Sequence, residues 1–232
     1  MTRTLGIVGG LGTETSCTFC LHVNAAIQRA TDEQPRIITD NLSMSNKGFR
    51  TLARGDFSPE TLGLLVDSVK RLNQVGVDLI AIPCNTVHIF IETIRRLSDV
   101  PVLSIIDETA KVCLERGFTK VGVLGSSMTI KERLHTNALA KNNITTVIPS
   151  TSNQQFIDEC IFRIINQQST VQDHSSMNEI IQNLVSEGAQ AVILGCTDLF
   201  LIIKQDSVSV PLLNTTAILE EAAINWFLQE EQ

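Results

Sequence analysis

The chain has 232 residues, of which 43% are hydrophobic and 19% are charged, and this composition is typical of a folded protein and excludes global disorder. The length fits one domain or two lobes of about 100 residues each. The formal net charge of -7 disfavours a nucleic-acid partner, because phosphate binding requires a basic surface.

No apolar run in the chain has the length of a signal peptide's core or of a membrane span. We therefore expect a cytoplasmic protein without a membrane partner. Since the cytoplasm is reducing, the six cysteines are not expected to form disulfides. Each cysteine is then either a buried packing residue or part of the protein's chemistry.

Short apolar runs recur along the whole chain and are separated by longer amphipathic stretches. The runs are continuous rather than alternating, which is typical of strands that are buried on both faces of a sheet. The predicted strands are 5–8, 36–42, 77–83, 100–103, 120–124, 145–148, 189–194 and 210–213.

The stretches between these runs have the apolar spacing of helices. In 58–75 the leucines and valines fall on one helical face, and Ser58 and Pro59 suit the N-cap and the first helical position. The segment 177–187 has the same spacing. The alternation of strand and helix predicts α/β layers built on a mostly parallel sheet.

The segment 43–57 follows a predicted strand but has no clear period, and it carries Lys47, Arg50 and Arg54. A loop of this length is often a lid or a binding loop, although a plain surface loop fits the sequence equally well. We expect it to close over a site, with Lys47 in contact with the ligand.

Three segments of the first half recur in the same order in the second half. The earlier segments are 5–10, 75–86 and 100–104, and their counterparts are 121–126, 187–198 and 210–214. Similarity among buried strands does not explain a cysteine at the same place in both halves. The repeat predicts two similar α/β lobes related by internal duplication, each a mostly parallel sheet flanked by helices. We expect 1–100 with 214–232 to form the first lobe and 101–213 the second.

Cys84 and Cys196 hold matching positions in this repeat. Each follows a buried strand, at the carboxyl end where α/β sheets bind ligands. A helix is predicted after Cys84, and amides at a helix N-terminus would lower the pKa of the thiol from about 8.5. The alternative is that both cysteines are small buried hydrophobic residues.

Two equivalent thiols in facing lobes suit the inversion of a stereocentre at carbon. Inversion removes a proton from one face and delivers a proton to the other, so it needs one base and one acid on opposite sides. Lys, His and carboxylate pairs could do the same, but none occurs at matched positions of the repeat. The pattern therefore favours an isomerase with Cys84 and Cys196 as catalytic residues.

A thiol is a weak base for a C–H proton, so the site must stabilise the deprotonated substrate with hydrogen-bond donors. Backbone amides around Gly10 and Leu11 could supply some of these donors. The hydroxyl groups have helix capping as an alternative role. The candidate side chains are Asn85, Thr86, Ser126, Ser127 and Thr197.

Other reactive residues fit structural roles better. Cys17 and Cys20 form a C-x-x-C inside a predicted helix, without a second such pair, so no metal site is expected. His88 lies one helical turn after Cys84 and is expected to be structural. His135 and His174 are expected on the surface. No nucleotide-binding glycine pattern or phosphate loop is present in the sequence.

Three motifs resemble the signature segments of the aspartate/glutamate racemases, in the right order across the whole chain: Gly-Gly-Leu-Gly at 9–12, Pro-Cys-Asn-Thr-Val-His at 83–88 and Gly-Cys-Thr-Asp at 195–198. The resemblance implies two facing lobes, a homodimer, and racemisation of a small amino acid without pyridoxal phosphate, metal or nucleotide. It also implies that Cys84 and Cys196 are the acid/base pair. Asn85, Thr86 and Thr197 would then bind the substrate's α-carboxylate and amine.

The resemblance is to aspartate racemases above all, so aspartate or glutamate is the expected substrate. Four positions differ from that pattern: Leu11 stands where many aspartate racemases have Met, and Asp198 where many have Glu. Lys47 stands where archaeal-type enzymes have Arg, and Asn166 where they have Lys. The alternatives are another two-cysteine isomerase on the same scaffold, of the hydantoin racemase or maleate isomerase type, and a non-catalytic two-lobe amino-acid binder.

Overall fold

The computed structural model describes residues 3–45, 48, 51 and 59–229. The expected lid 43–57 therefore lies for the most part outside the described residues, and Lys47, Arg50 and Arg54 are among those not described. The helices within the described ranges include none that is long and apolar enough to cross a membrane.

Two four-stranded parallel sheets form the centre of the molecule, and all eight strands lie where they were predicted. The first sheet has the order β2-β1-β3-β4 and the second the order β6-β5-β7-β8, which is the same topology twice. This confirms two similar α/β lobes related by duplication. The strands are β1 Thr4–Gly9, β2 Arg36–Asn41, β3 Leu79–Ala81, β4 Val102–Leu103, β5 Lys120–Leu124, β6 Thr145–Val147, β7 Val192–Leu194 and β8 Leu212–Asn214.

Helices follow the strands and cover the sheets. They are α1 Thr13–Thr31, α2 Pro59–Val75, α3 Ile91–Leu97, α4 Ile105–Glu115, α5 Ser127–Lys131, α6 Leu134–Ala140, α7 Thr151–Ile165, α8 Val171–Ser186 and α9 Thr215–Leu228. Short 3₁₀ helices occupy Thr86–Phe90, Leu199–Leu201 and Gln205–Ser207. The predicted helix 58–75 is α2, and 177–187 is the C-terminal part of α8.

The last helix of each half packs against the other half. Helix α4 follows β4 and contacts α6, whereas α9 follows β8 and contacts α1, and α4 and α9 also contact each other. One apolar cluster therefore contains residues from both sheets, among them Leu5, Val121 and Ile193. This exchange holds the carboxyl ends of the two sheets together. The lobe boundaries at 1–100 with 214–232 and at 101–213 remain a prediction.

Helix α8 begins at a partly buried ion pair. Thr170 and Asp173 form a capping box, and the Asp173 carboxylate, only 3% exposed, accepts hydrogen bonds from Arg163 at 2.5 Å and from the Thr170 amide at 2.8 Å. The Arg163 guanidinium holds the pKa of Asp173 below its usual value. The pair ties the start of α8 to the last turn of α7.

We expect Asp173→Asn to lower the free energy of unfolding by about 2–4 kcal/mol at pH 7, because it removes the charge that compensates Arg163 and weakens the cap. Asp40→Asn is the matched control: Asp40 pairs with an Arg71 that is 52% exposed, so its loss should cost less than about 1 kcal/mol. Urea denaturation measures both. An equal loss of stability in the two variants would contradict the larger role given to the Arg163–Asp173 pair.

The contribution of Asp173 to the free energy of unfolding depends on pH in a defined direction. A carboxyl whose pKa is lowered by folding stabilises the protein above its unfolded pKa of about 3.9, and that stabilisation is lost as the pH falls through the folded pKa. The difference between wild type and Asp173→Asn should therefore be constant near neutral pH and shrink below about pH 4.

Candidate active site

The two candidate cysteines lie just beyond equivalent strands. Strand β3 leads to Cys84, whose amide donates to the Ile82 carbonyl at 2.8 Å, and β7 leads through Gly195 to Cys196. β3 and β7 each hold the third place in their sheets. Both cysteines line one cavity between the sheets. The cavity is lined by Leu11, Cys84, Asn85, Thr86, Ser126, Ile161, Ile165, Cys196, Thr197 and Asp198.

This cavity is narrow. Its volume is about 30 Å³, which is room for about two water molecules. Apolar side chains such as Leu11 and Ile161 form part of its wall. Cys84 is buried and Cys196 is partly buried beside it.

Burial dominates the chemistry of Cys84. The side chain is buried, and this raises the pKa of the Cys84 thiol to about 11, although hydrogen bonds from the amides of Val87 and Thr86 act in the opposite direction. The expected lowering of the Cys84 pKa by helix amides is therefore wrong as a net effect. The helix after Cys84 is also a short 3₁₀ helix, Thr86–Phe90, rather than a full α-helix.

Asp198 links the electrostatics of the two thiols. Burial raises the pKa of Cys196 well above its usual value, and the charges of Asp198 and Cys84 raise it further. Asp198 raises the pKa of Cys84 as well. The Cys196 thiol donates to Asp198 Oδ2 at 3.9 Å, and Thr15 donates to Oδ1 at 2.9 Å. Since each negative charge opposes the next, the cavity favours one thiolate and one thiol over two thiolates.

Asp198 was noted in the sequence only as a family difference, and its effect on both thiols was not predicted. Burial also raises the pKa of this carboxyl. A signal was available, because Asp198 ends the Gly-Cys-Thr-Asp segment two residues after Cys196. Residues so close to a strand-end cysteine share its loop and its cavity.

Both polar atoms of the Asn85 side chain form a hydrogen bond within the protein. Its Oδ1 accepts from His135 Nε2 at 2.9 Å, and its Nδ2 donates to Thr215 Oγ1 at 3.0 Å. The expectation of a surface His135 is wrong: the ring is 1% exposed, because α6 turns it toward the glycine before Cys196. His135 lies three and four residues before the buried Ala138 and Leu139, and that helical spacing was the signal for burial.

A cluster of hydroxyl groups joins the loop of Cys84 to the start of α5. Thr86 Oγ1 lies 3.1 Å from Ser126 Oγ, which lies 3.1 Å from Thr129 Oγ1. Ser126 also caps α5 through the Thr129 amide, so capping and a place in the cavity are combined in one side chain. Thr197 lines the cavity beside Cys196.

Among the candidate site residues that the structure describes, two do not line this cavity. The Ser127 hydroxyl and amide both donate to the Asp158 carboxylate, the amide at 2.8 Å. Gly10 lines a neighbouring, larger cavity of about 350 Å³, which we call the vestibule. The vestibule shares Asp198 and Ile165 with the cysteine cavity and is further lined by Gly10, Gly12, Thr13, Glu14, Met44, Phe162, Ile164, Asn166, Gln167 and Leu201.

His88 holds the Cys84 loop in place, as expected for a structural residue. Its Nε2 accepts from the Ile105 amide at 3.1 Å, so Nδ1 carries the proton and donates to the Cys84 carbonyl at 2.7 Å. Burial lowers the pKa of His88 to about 4, which keeps the ring neutral. Within the described ranges, no group of three His, Cys, Asp or Glu residues could hold a metal ion.

Comparison with known proteins places this geometry in context. Residues 8–223 match a family model described as Asp/Glu/Hydantoin racemase. The broad specificity amino-acid racemase RacX of Bacillus subtilis is 30% identical over 164 residues, which is 71% of each chain.

Two solved structures share the fold. An aspartate racemase homologue from Pyrococcus horikoshii OT3 is 28% identical with a TM-score of 0.78, over 99% of this chain and 100% of that one. An aspartate racemase from Picrophilus torridus has a TM-score of 0.81 at 22% identity, over 99% of this chain and 96% of that one. Both similarities extend over the two sheets together.

We expect Asp198→Asn to lower the pKa of Cys84 below about 11, because it removes a negative charge that opposes the thiolate. The rate of iodoacetamide alkylation at pH 9, followed by peptide mass spectrometry, should rise by about threefold or more at this residue. Cys113 is the internal control: its pKa is also about 11, but it responds to burial and Arg116 rather than to Asp198. An unchanged rate at Cys84 would contradict the coupling.

Proposed function

The chain belongs to the Asp/Glu/hydantoin racemase family, and we propose that it interconverts the L and D enantiomers of an α-amino acid with Cys84 and Cys196 as the two acid/base groups. One observation carries this proposal: the two thiols line the same cavity from equivalent strand ends of duplicated sheets. The two sulfur atoms can then address opposite faces of one α-carbon. The resemblance adds a cytoplasmic homodimer to the proposal.

In the proposed reaction, one cysteine starts as a thiolate and the other as a thiol. The thiolate takes the α-proton from one face, and the electron pair of the C–H bond remains on the substrate as a carbanion delocalised into its carboxylate. The thiol then delivers its proton to the opposite face, which leaves the enantiomer, with the first cysteine now a thiol and the second now a thiolate. The proposed reaction needs no cofactor, because one cysteine accepts the first proton and the other cysteine supplies the second.

The raised pKa of both thiols requires an explanation for the first thiolate. A substrate ammonium group in the cavity would place a positive charge next to the sulfur atoms and lower their pKa. Asp198 is the proposed proton acceptor for Cys196, because the thiol already donates to its Oδ2 and because burial raises the pKa of this carboxyl toward that of a base.

The carbanion needs donors aimed at the substrate carboxylate, where its negative charge accumulates. We assign this role to the amide nitrogen of Asn85 and to the hydroxyl groups of Thr86 and Thr197, which line the cavity. Ser126 supports Thr86 through their 3.1 Å contact. Ser127 has its hydroxyl on Asp158, so a direct role would need that contact to break.

Aspartate and glutamate are the proposed substrates from the family resemblance, with Lys47 on the distal carboxylate. The lining of the vestibule supports a second class of substrate, amino acids whose side chains are neutral or cationic. It presents the carboxylates of Glu14 and Asp198 together with the amides of Asn166 and Gln167, so an amino acid with a neutral or cationic side chain would avoid like-charge contacts there. The relative from Bacillus subtilis is itself named for broad specificity.

We expect Cys84→Ala and Cys196→Ala each to lower racemisation by about a thousandfold or more, because one face of the α-carbon loses its acid/base group. Chiral chromatography of a panel of L- and D-amino acids measures the loss. In heavy water, the wild-type product should carry deuterium while the remaining substrate stays largely protiated. Each Ala variant should exchange the α-proton of one enantiomer only, and the two variants should select opposite enantiomers.

Near wild-type racemisation in either Ala variant would contradict the two-base mechanism. Cys113→Ala is the control, because Cys113 is fully buried in the core away from the cavity. Ligand binding without exchange or inversion of any amino acid would favour a non-catalytic binder. Isomerisation of a hydantoin or of maleate, without racemisation of amino acids, would favour the other two-cysteine isomerases.

We expect Lys47→Ala to raise the Michaelis constant for aspartate and glutamate by about tenfold and to leave that of neutral amino acids unchanged, because a charge-assisted contact is lost. Glu14→Gln is the opposing variant and should lower the Michaelis constant for acidic substrates, since it removes a negative charge from the vestibule. Initial rates across a substrate panel measure both. Equal effects of Lys47→Ala on acidic and neutral substrates would remove Lys47 from recognition.

A further inference from the structure

A buried chain of hydrogen bonds connects α6 to the strand that leads to Cys196. His135 Nε2 lies 2.9 Å from Asn85 Oδ1, Asn85 Nδ2 lies 3.0 Å from Thr215 Oγ1, and Thr215 Oγ1 lies 2.9 Å from the Leu194 carbonyl. The side chains of His135, Asn85 and Thr215 are at most 1% exposed. Water therefore does not compete for these groups.

The donor and acceptor of each hydrogen bond in this series are fixed by the last one, at the Leu194 carbonyl. A backbone carbonyl only accepts, so the single hydroxyl proton of Thr215 goes to Leu194, and Thr215 Oγ1 must accept from Asn85. The atom of Asn85 that faces Thr215 is then its nitrogen, and the atom that faces His135 is its oxygen. His135 must donate to this oxygen, which assigns the proton of the neutral ring to Nε2.

The surroundings of His135 keep that tautomer. Nδ1 is buried and has no hydrogen-bond partner within the described part of the chain, so a proton there would have nothing to bind. Burial, with a smaller contribution from the neighbouring His88, lowers the pKa of His135 to about 3. The ring therefore remains a neutral Nε2 donor throughout the neutral pH range.

The position of the ring depends on the glycine before Cys196. A Cβ at Gly195 would lie 3.2 Å from the Nε2 and Cδ2 atoms of His135 and 2.7 Å from the Leu124 carbonyl oxygen. The imidazole thus contacts the loop of Cys196 through Gly195 and the loop of Cys84 through Asn85. His135 is not among the residues that line the cavity, so it can act on substrate only through its neighbours, and Asn85 is the neighbour that it contacts by a hydrogen bond.

We infer that His135 is a positioning residue of the proposed racemase, which orients the Asn85 amide so that its N–H edge rather than its oxygen faces the substrate carboxylate. The Asn85 nitrogen carries two protons, and Thr215 takes one, so the second is left for a ligand in the cavity. A flipped amide would place its nitrogen against the donor of His135 and turn lone pairs toward the carboxylate. The inference rests on the proposed function.

Two variants separate positioning from packing. In His135→Gln the amide N–H reaches the place of Nε2 and keeps the donor, whereas His135→Met keeps the apolar volume and removes it. Using the best amino-acid substrate of the wild type, we expect His135→Met to raise KM about tenfold and to lower kcat/KM by about tenfold or more. His135→Gln should stay within about threefold of the wild type. Thermal unfolding of both variants provides the stability control.

Equal kcat/KM in the two variants, whether near the wild-type value or equally reduced, would overturn the inference. Imidazole nitrogen shifts of the wild type, measured by NMR from pH 5 to 9, provide a test that needs no variant and no activity. They should show a neutral His135 protonated at Nε2, and a proton at Nδ1 would overturn the inference even if the variants fail to fold. Failure of the wild type to racemise any amino acid would count against the proposed function, while the NMR result would still decide the orientation of Asn85.

Discussion

Mutual repulsion among negative charges in a narrow cavity is the constraint on which the site depends. Two thiols and one carboxylate surround a space of about 30 Å³, and desolvation raises the pKa of Cys84, Cys196 and Asp198 alike. A second negative charge is costly wherever a first one exists. The cavity thereby disfavours two thiolates, so that once one cysteine is ionised the other stays protonated, which is the starting condition of inversion by two groups.

The duplicated fold meets this constraint with few special residues. Parallel strands with the same order in each sheet bring their carboxyl ends to the same region, and the exchange of α4 and α9 between the halves holds the two ends together. Close backbone approach then requires glycine. Gly195 leaves room for His135, and Gly10, with a φ of 81°, leaves room for the backbone of Leu42 at a distance where a Cβ would clash.

Features that depend on local sequence were predictable, and features that depend on distant packing were not. Apolar runs predicted all eight strands, and the cysteine at the same place in both halves indicated one site. Both signals lie within a few consecutive residues. The predicted lowering of the Cys84 pKa was wrong, because the burial of this thiol comes from residues far along the chain. Its effect exceeds the local effect of the helix amides. The role of Ser127 was equally out of reach, since its partner Asp158 belongs to another helix.

The two halves are duplicated, but the surroundings of the two thiols differ. Cys84 is stabilised as a thiolate by the amides of Val87 and Thr86, whereas Cys196 donates to the carboxylate of Asp198. Removal of a proton by one sulfur therefore differs in barrier from removal by the other. Enantiomers have equal free energies in solution, so kcat/KM must nevertheless be equal in the two directions. The asymmetry of the site can appear only in kcat and KM separately, as tighter binding of one enantiomer compensated by its slower turnover.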